Sequence, residues 1–210
     1  MDIRQQILHI HGGSAFNSYD NYIRNLKKWN ISIDDESQSK HWSRNYYSFL
    51  FEDSFQCIVP TMPSKHNAKY LEWKIWFEKY LSVLHNDVIL VGHSLGGTFL
   101  AKYLSEESFP VSIKQLHLVA PVYDYEDDEE ELADFRLADF PGKLLDIHIS
   151  EIHIYTSKDD DIVPYTESLR FHEEIPGSQL HFFEDRGHFL GEGFSDLFEN
   201  IKGWQYFQYN

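Results

Sequence analysis

Val88-Ile89-Leu90-Val91-Gly92-His93-Ser94-Leu95-Gly96-Gly97-Thr98-Phe99-Leu100-Ala101-Lys102-Tyr103-Leu104 is the stretch whose reading decides the fold. It begins with four uninterrupted apolar residues, the mark of a strand buried on both faces, as central parallel strands are. It ends in a helix-compatible run. Between them, Gly92-His93-Ser94-Leu95-Gly96 fits the pattern G-x-S-x-G, a sharp strand-to-helix turn with a serine at its apex. The spacing has a physical reason. The turn holds the serine in a strained backbone conformation with Oγ projecting outward. Glycines two before and two after let strand and helix approach without Cβ clashes. Ser94 also stands at a helix N-terminus, where the dipole favours a developing negative charge. The pattern alone is common by chance, and the flanking strand and helix supply its context.

Outward from this turn, apolar runs of strand length alternate with stretches of helical period, which argues for βα units and a parallel sheet. Strands are expected at Gln6 to His11, Phe55 to Val59, Val88 to Val91, Leu116 to Val119, Glu151 to Thr156 and Gln179 to Phe183. Tyr70, Trp73, Phe77, Tyr80, Leu81 and Leu84 recur at three- and four-residue steps and predict an amphipathic helix over 67–85. Further helices are predicted over 95–107, over Thr166 to Glu174, which stops at Pro176-Gly177, and over 194–207. Two stretches break the rhythm. About forty residues separate Gly13 from Phe55, far more than a βα connection needs. They read as two helices, near Tyr19 to Trp29 and near His41 to Phe51, around a polar segment. The second irregular stretch runs from Pro121 to Asp146 and holds the acidic run Asp127 to Glu131, read as a solvated face.

A serine hydroxyl is a weak nucleophile and needs a base. His188, in Glu184-Asp185-Arg186-Gly187-His188-Phe189, lies just beyond the last strand and is the candidate. The base needs a carboxylate to fix its tautomer and stabilise the imidazolium. Ser157-Lys158-Asp159-Asp160-Asp161-Ile162-Val163-Pro164 follows the penultimate strand with three adjacent aspartates. Asp160 is the choice, two before Ile162, where the loop points back toward the histidine. Asp159 and Asp161 stay open as alternatives. The order Ser94, Asp160, His188 is the one G-x-S-x-G enzymes use. An oxyanion needs two backbone N–H groups. Leu95, after the serine, supplies one. The other is expected from His11-Gly12-Gly13-Ser14, with Gly13 preferred and Ser14 as fallback. His9 and His11 share a strand face, but no third ligand is suggested, so no metal site is expected. His93 reads as a packing residue of the turn.

The chain has 210 residues, enough for one sizeable core and awkward for two. With 42% hydrophobic residues it has material to bury, and a single domain is expected over 1–210. Eighteen basic against 34 acidic residues give a net charge of −16. So acidic a surface repels nucleic acid and anionic lipid, which excludes both as expected partners. No apolar run is long enough for a membrane helix. The start, Met1-Asp2-Ile3-Arg4-Gln5-Gln6, has no signal-peptide pattern, and Cys57 is the one cysteine, expected buried in a strand. A cytoplasmic location is the resulting expectation.

With these motifs together, the chain resembles the α/β-hydrolase superfamily. Within it, it is similar to the compact serine hydrolases that include retinoblastoma-binding protein nine and its bacterial relatives. The marks are Val59-Pro60-Thr61-Met62-Pro63, Asn67-Ala68-Lys69-Tyr70 with Trp73, the Ser94 turn, the Asp160 loop and Asp185-Arg186-Gly187-His188-Phe189. The resemblance implies a minimal α/β-hydrolase fold: three layers, α/β/α, around a six-stranded parallel sheet. It implies a triad of Ser94, Asp160 and His188, with no cofactor and a small acyl substrate. Hydrolysis of a carboxylic ester is the expected activity. A peptidase, a thioesterase and a non-catalytic protein-binding member of the fold remain as alternatives. The insertions at about 14–54 and 121–146 leave strand ends where ligands bind in open α/β sheets. They are expected to roof the site, with Phe16, Tyr19, Tyr22 and Tyr123 as acyl-pocket candidates. The alternative is that these aromatics complete a core. A protein partner on the acidic insertion is not predicted.

Overall fold

Val88-Ile89-Leu90-Val91 forms the heart of strand β3 (Val88–His93), whose six residues are all buried. The computed structural model describes residues 4–30, 55–127, 131–191 and 194–206. The elements before β3 are β1 (Gln5–Ile10), α1 (Tyr19–Lys28), β2 (Phe55–Ile58) and α2 (Tyr70–Leu81). After it come α3 (Leu95–Glu106), β4 (Ile113–Val119), β5 (Ile149–Ser157), α4 (Tyr165–Glu174), β6 (Gln179–Phe183) and α5 (Ser195–Tyr206). The strands form one sheet in the order β2-β1-β3-β4-β5-β6, with every neighbouring pair parallel. The helix expected near His41 to Phe51 lies outside the described residues.

Strand alternation sorts the core onto two faces. Leu8, Ile10, Leu90, Leu116, Leu118 and Ile154 pack with Trp73 and Phe77 of α2, Phe99 and Leu100 of α3 and Phe171 of α4. Ile7, Ile89, Val91, Val119 and Tyr155 pack with Leu197, Phe198 and Ile201 of α5. Helices thus cover both faces, giving three layers. Every residue of α3 from Leu95 to Ser105 is buried, so this helix is enclosed on every side. Its Lys102 keeps a buried stem while Nζ reaches Glu106 at 2.7 Å and the Arg136 carbonyl at 2.8 Å.

Boundaries move where side chains intervene. Helix α2 starts at Tyr70 and not at 67, because Lys69 is extended and the Asp134 carboxylate takes the Tyr70 N–H at 3.0 Å. A cap from the second insertion thus sets the start of α2. The acidic run there is not all solvated. Asp127 is exposed, but Glu131 accepts hydrogen bonds from the Asn17 N–H and from Asn21 Nδ2, joining the second insertion to α1. Cys57 is half-buried on β2, and burial pushes its thiol up to about 11.

Under α5 lies a polar stack that parallel register creates. His117 pairs with His153, and Tyr155 with His181, across neighbouring strands. The His117 and His153 rings stack 4.8 Å apart, and those of His153 and His181 5.2 Å apart. His153 Nε2 meets Glu151 at 3.1 Å and its Nδ1 meets His181 Nε2 at 3.0 Å. His117 Nδ1 meets the Tyr155 hydroxyl at 2.9 Å. Burial holds all three histidines below the ordinary histidine range, with His153 adding to the effect on the other two. Between a lowered folded pKa and an unfolded value of about 6.5, the unfolded chain binds more protons than the native one. Stability from the stack is therefore complete above that unfolded value and is lost as pH falls through the window beneath it. Thermal melts at about pH 7.5 and about pH 5.5 should show a larger drop in Tm for the wild type than for His181→Asn. An equal drop would refute this role.

Candidate active site

Ser94 sits at φ 53° and ψ −126°, a left-handed conformation for a residue with a Cβ. Such a conformation costs about 1–3 kcal/mol and persists only when the surroundings impose it. The surroundings are two strands and a helix. Ser94 N–H donates to the Val119 carbonyl of β4 at 2.8 Å, and its own carbonyl accepts from Gly97 at 2.8 Å and Thr98 at 3.2 Å. The turn closes because Gly92 and Gly96 lack side chains. A Cβ on Gly92 would stand 2.6 Å from the Gly96 carbonyl oxygen, and one on Gly96 would stand 2.6 Å from that of His11. The N-terminus of α3 therefore abuts the end of β1.

Strand order reverses between β1 and β3, since β2 lies on one side of that pair and β4 to β6 on the other. Ligands in open α/β sheets bind at such a switch point, outside the carboxyl ends of the strands. Both Ser94 and His11-Gly12-Gly13 are there. A Cβ on Gly12 would stand 3.1 Å from Ser94 Cβ, so the β1 loop runs against the serine. Leu95 is the first residue of α3, and its N–H has no acceptor within the helix. Ser14 N–H is already given to the Lys65 carbonyl at 2.9 Å, which leaves Gly13 as the open choice of the expected pair.

His188 is buried, and its Nδ1 lies 2.8 Å from Asp160 Oδ2. A carboxylate can only accept, so Nδ1 carries the proton and Nε2 is left with a lone pair. The other oxygen of Asp160 accepts the N–H groups of Ile162 at 2.9 Å and Val163 at 2.8 Å. That turn feeds α4 and leaves the Asp160 side chain fully enclosed. Asp161 is exposed. Asp159 has a different job. Its Oδ1 accepts the Ser157 hydroxyl at 2.6 Å and the Gly187 N–H at 2.8 Å, and Ser157 Oγ accepts the Arg186 N–H at 2.8 Å. These bonds, Ser157 first, hold the Asp159 carboxyl below the usual carboxylate range. Asp159 thus fastens the loop that presents His188. His93 does more than pack: its Nε2 donates to the His188 carbonyl at 2.9 Å. Neither role is visible in a linear pattern, because Gly187 and His188 come from a distant loop.

The aromatic candidates divide. Phe16, Tyr19 and Tyr22 form one cluster, with the Tyr22 ring 5.6 Å from Phe16 and 5.9 Å from Tyr19. Phe16 is buried and Tyr19 exposed. Tyr123 packs elsewhere, against Phe140, Phe171 and the Arg170 guanidinium. The loop that carries it is anchored by Glu167, whose Oε2 accepts the N–H groups of Tyr123, Asp124 and Tyr125 at 2.7–2.9 Å. Sequence reasoning did not single out Glu167.

A serine at the apex of the β3–α3 turn, on a parallel sheet that reverses order beside it, gives the protein an α/β-hydrolase fold. A family model described as serine hydrolase matches residues 35–203, and the chain belongs to that family. It is 26% identical over 162 residues to YdeN of Bacillus subtilis (strain 168), covering 77% of this chain and 85% of that one. The crystal structure of the B. subtilis ydeN gene product superposes with a TM-score of 0.72 at 20% identity, over 95% of this chain and 98% of the other. An esterase from Exiguobacterium antarcticum shares the fold, with a TM-score of 0.54 at 15% identity over 97% and 91%. The protein is a hydrolase of this family. No helix among the described residues is long and apolar enough to cross a membrane.

Gly96→Ala places a methyl against two backbone carbonyls. The variant should lose about 1–3 kcal/mol of stability, read from its urea midpoint. An unchanged midpoint would contradict the close approach.

Proposed function

We propose that the protein hydrolyses carboxylic esters of small substrates through an acyl-enzyme on Ser94. The observation that carries this reading is the His188–Asp160 bond of 2.8 Å, which leaves His188 Nε2 as an acceptor. Ser94 Oγ attacks the carbonyl carbon while His188 Nε2 takes its proton. The Gly13 and Leu95 N–H groups hold the resulting oxyanion. His188 then returns the proton to the leaving alcohol, and Asp160 steadies the transient imidazolium. A water molecule, deprotonated by His188, attacks the acyl-enzyme and releases the acid and Ser94. The cycle needs no metal or organic cofactor. The fold, shared with an esterase, accommodates an ester substrate.

The same reading treats residues 1–210 as one domain, working in the cytoplasm on a small molecule. It assigns Phe16, Tyr19 and Tyr22 to the acyl side; their mutual ring contacts, and the Asn21–Glu131 bond that ties α1 to the second insertion, support that reading. Tyr123 supports that insertion from its seat on Phe171.

Intact-mass analysis after treatment with a fluorophosphonate should show one adduct, mapped to Ser94 and absent in Ser94→Ala. p-Nitrophenyl acetate should be turned over by the wild type. Asp160→Asn should lower kcat about 10³- to 10⁴-fold, because the amide favours the wrong histidine tautomer. A folded wild type that neither labels nor cleaves esters, thioesters or peptides would overturn the assignment in favour of a binding protein.

A further inference from the structure

His11 and Met62 stand outside the mechanism above, yet both touch the loop that flanks Ser94. His11 lies past the end of β1. Its Nε2 is 2.9 Å from the Met62 backbone nitrogen, and its Nδ1 is 2.6 Å from the Gly12 carbonyl oxygen. A backbone N–H can only donate, so Nε2 is the acceptor and the ring proton sits on Nδ1. That proton then points at the Gly12 oxygen. Met62 thereby fixes the tautomer, and the tautomer fixes the carbonyl.

The Gly12 carbonyl and the Gly13 N–H belong to one planar trans peptide and point in opposite directions. Whatever holds the oxygen holds the N–H. Glycines on both sides would otherwise leave this peptide free to rotate. The loop beneath is closed on the other side too. A Cβ on Gly13 would stand 2.6 Å from the Lys65 carbonyl oxygen, the same oxygen that accepts the Ser14 N–H. The Ala68 N–H donates to the Ser14 carbonyl at 2.8 Å, and Trp73 Nε1 donates to that of Pro63 at 2.8 Å. The segment from Met62 to Ala68 is a backing plate for the β1 loop.

We infer that His11 is a positioning residue that, through its Met62-fixed tautomer, orients the Gly12–Gly13 peptide so that the Gly13 N–H faces the oxyanion formed at Ser94. This rests on the acyl-enzyme reading and assigns a task to the Val59–Pro63 segment, which that reading leaves idle. Two substitutions separate the two ends of the ring. His11→Asn keeps a donor near the Nδ1 position and loses the acceptor for Met62. His11→Gln keeps an acceptor near the Nε2 position and loses the donor to Gly12.

The test measures p-nitrophenyl acetate kinetics for wild type, His11→Asn and His11→Gln, with circular dichroism as the check on folding. His11→Gln should lose roughly 10- to 100-fold in kcat with KM little changed, approaching the loss of one oxyanion donor. His11→Asn should stay within about threefold of wild type. Equal kcat losses in the two folded variants, or a loss confined to KM, would overturn the inference. If either variant fails to fold, the wild type alone decides. Its long-range ¹H–¹⁵N spectrum should show neutral His11 protonated on Nδ1, and protonation on Nε2 would refute the relay. A wild type with no turnover and no fluorophosphonate adduct overturns the acyl-enzyme reading itself, which sets that failure apart from a failure of His11.

Discussion

Backbone touching backbone is the constraint on which the site depends. At Gly96 the first turn of α3 meets the carbonyls of Ile10 and His11, leaving no room for a Cβ. That approach draws the β3–α3 turn against the β1 loop, and Ser94 takes a positive φ at its apex. The strain is held by bonds from β4 and from the helix itself. Because β1 and β3 flank the point where strand order reverses, the same contact brings a serine, a free helix N-terminus and a glycine loop together. Sheet topology and the geometry of the candidate site are here one fact.

Around this centre the chain uses carboxylates as fasteners. Asp160 holds the His188 ring and its own turn. Asp159 holds the loop that carries His188. Glu167 gathers three backbone N–H groups after β4, and Glu131 ties the second insertion to α1. Asp134 caps α2. Backbone N–H groups in loops have no ladder to join, so carboxylates accept them instead. Part of the strong acidic excess is therefore structural.

The sheet was legible because buried parallel strands are continuous apolar runs between glycines and prolines, as in Val88 to Val91. Ser94, Asp160 and His188 stand out in the sequence as candidates because local patterns and chain order both constrain them, and the Asp160–His188 contact sets Asp160 apart from its two neighbours. The roles of Asp159, His93, His11 and Glu167 were not legible. Each depends on a partner from a distant segment, and no local spacing encodes such a meeting. For Tyr123, ring contacts with Phe140 and Phe171 are what the structure adds to its position after a strand end.

The proposed oxyanion site joins the Ser94 turn to the β1 loop. A crystal structure of the fluorophosphonate-inhibited protein tests it directly, since the phosphonyl oxygen takes the place of the oxyanion. Phosphorus should be bonded to Ser94 Oγ, with that oxygen about 2.7–3.1 Å from both the Gly13 and Leu95 nitrogens. A phosphonyl oxygen turned away from either nitrogen, or phosphorus on another residue, would contradict it.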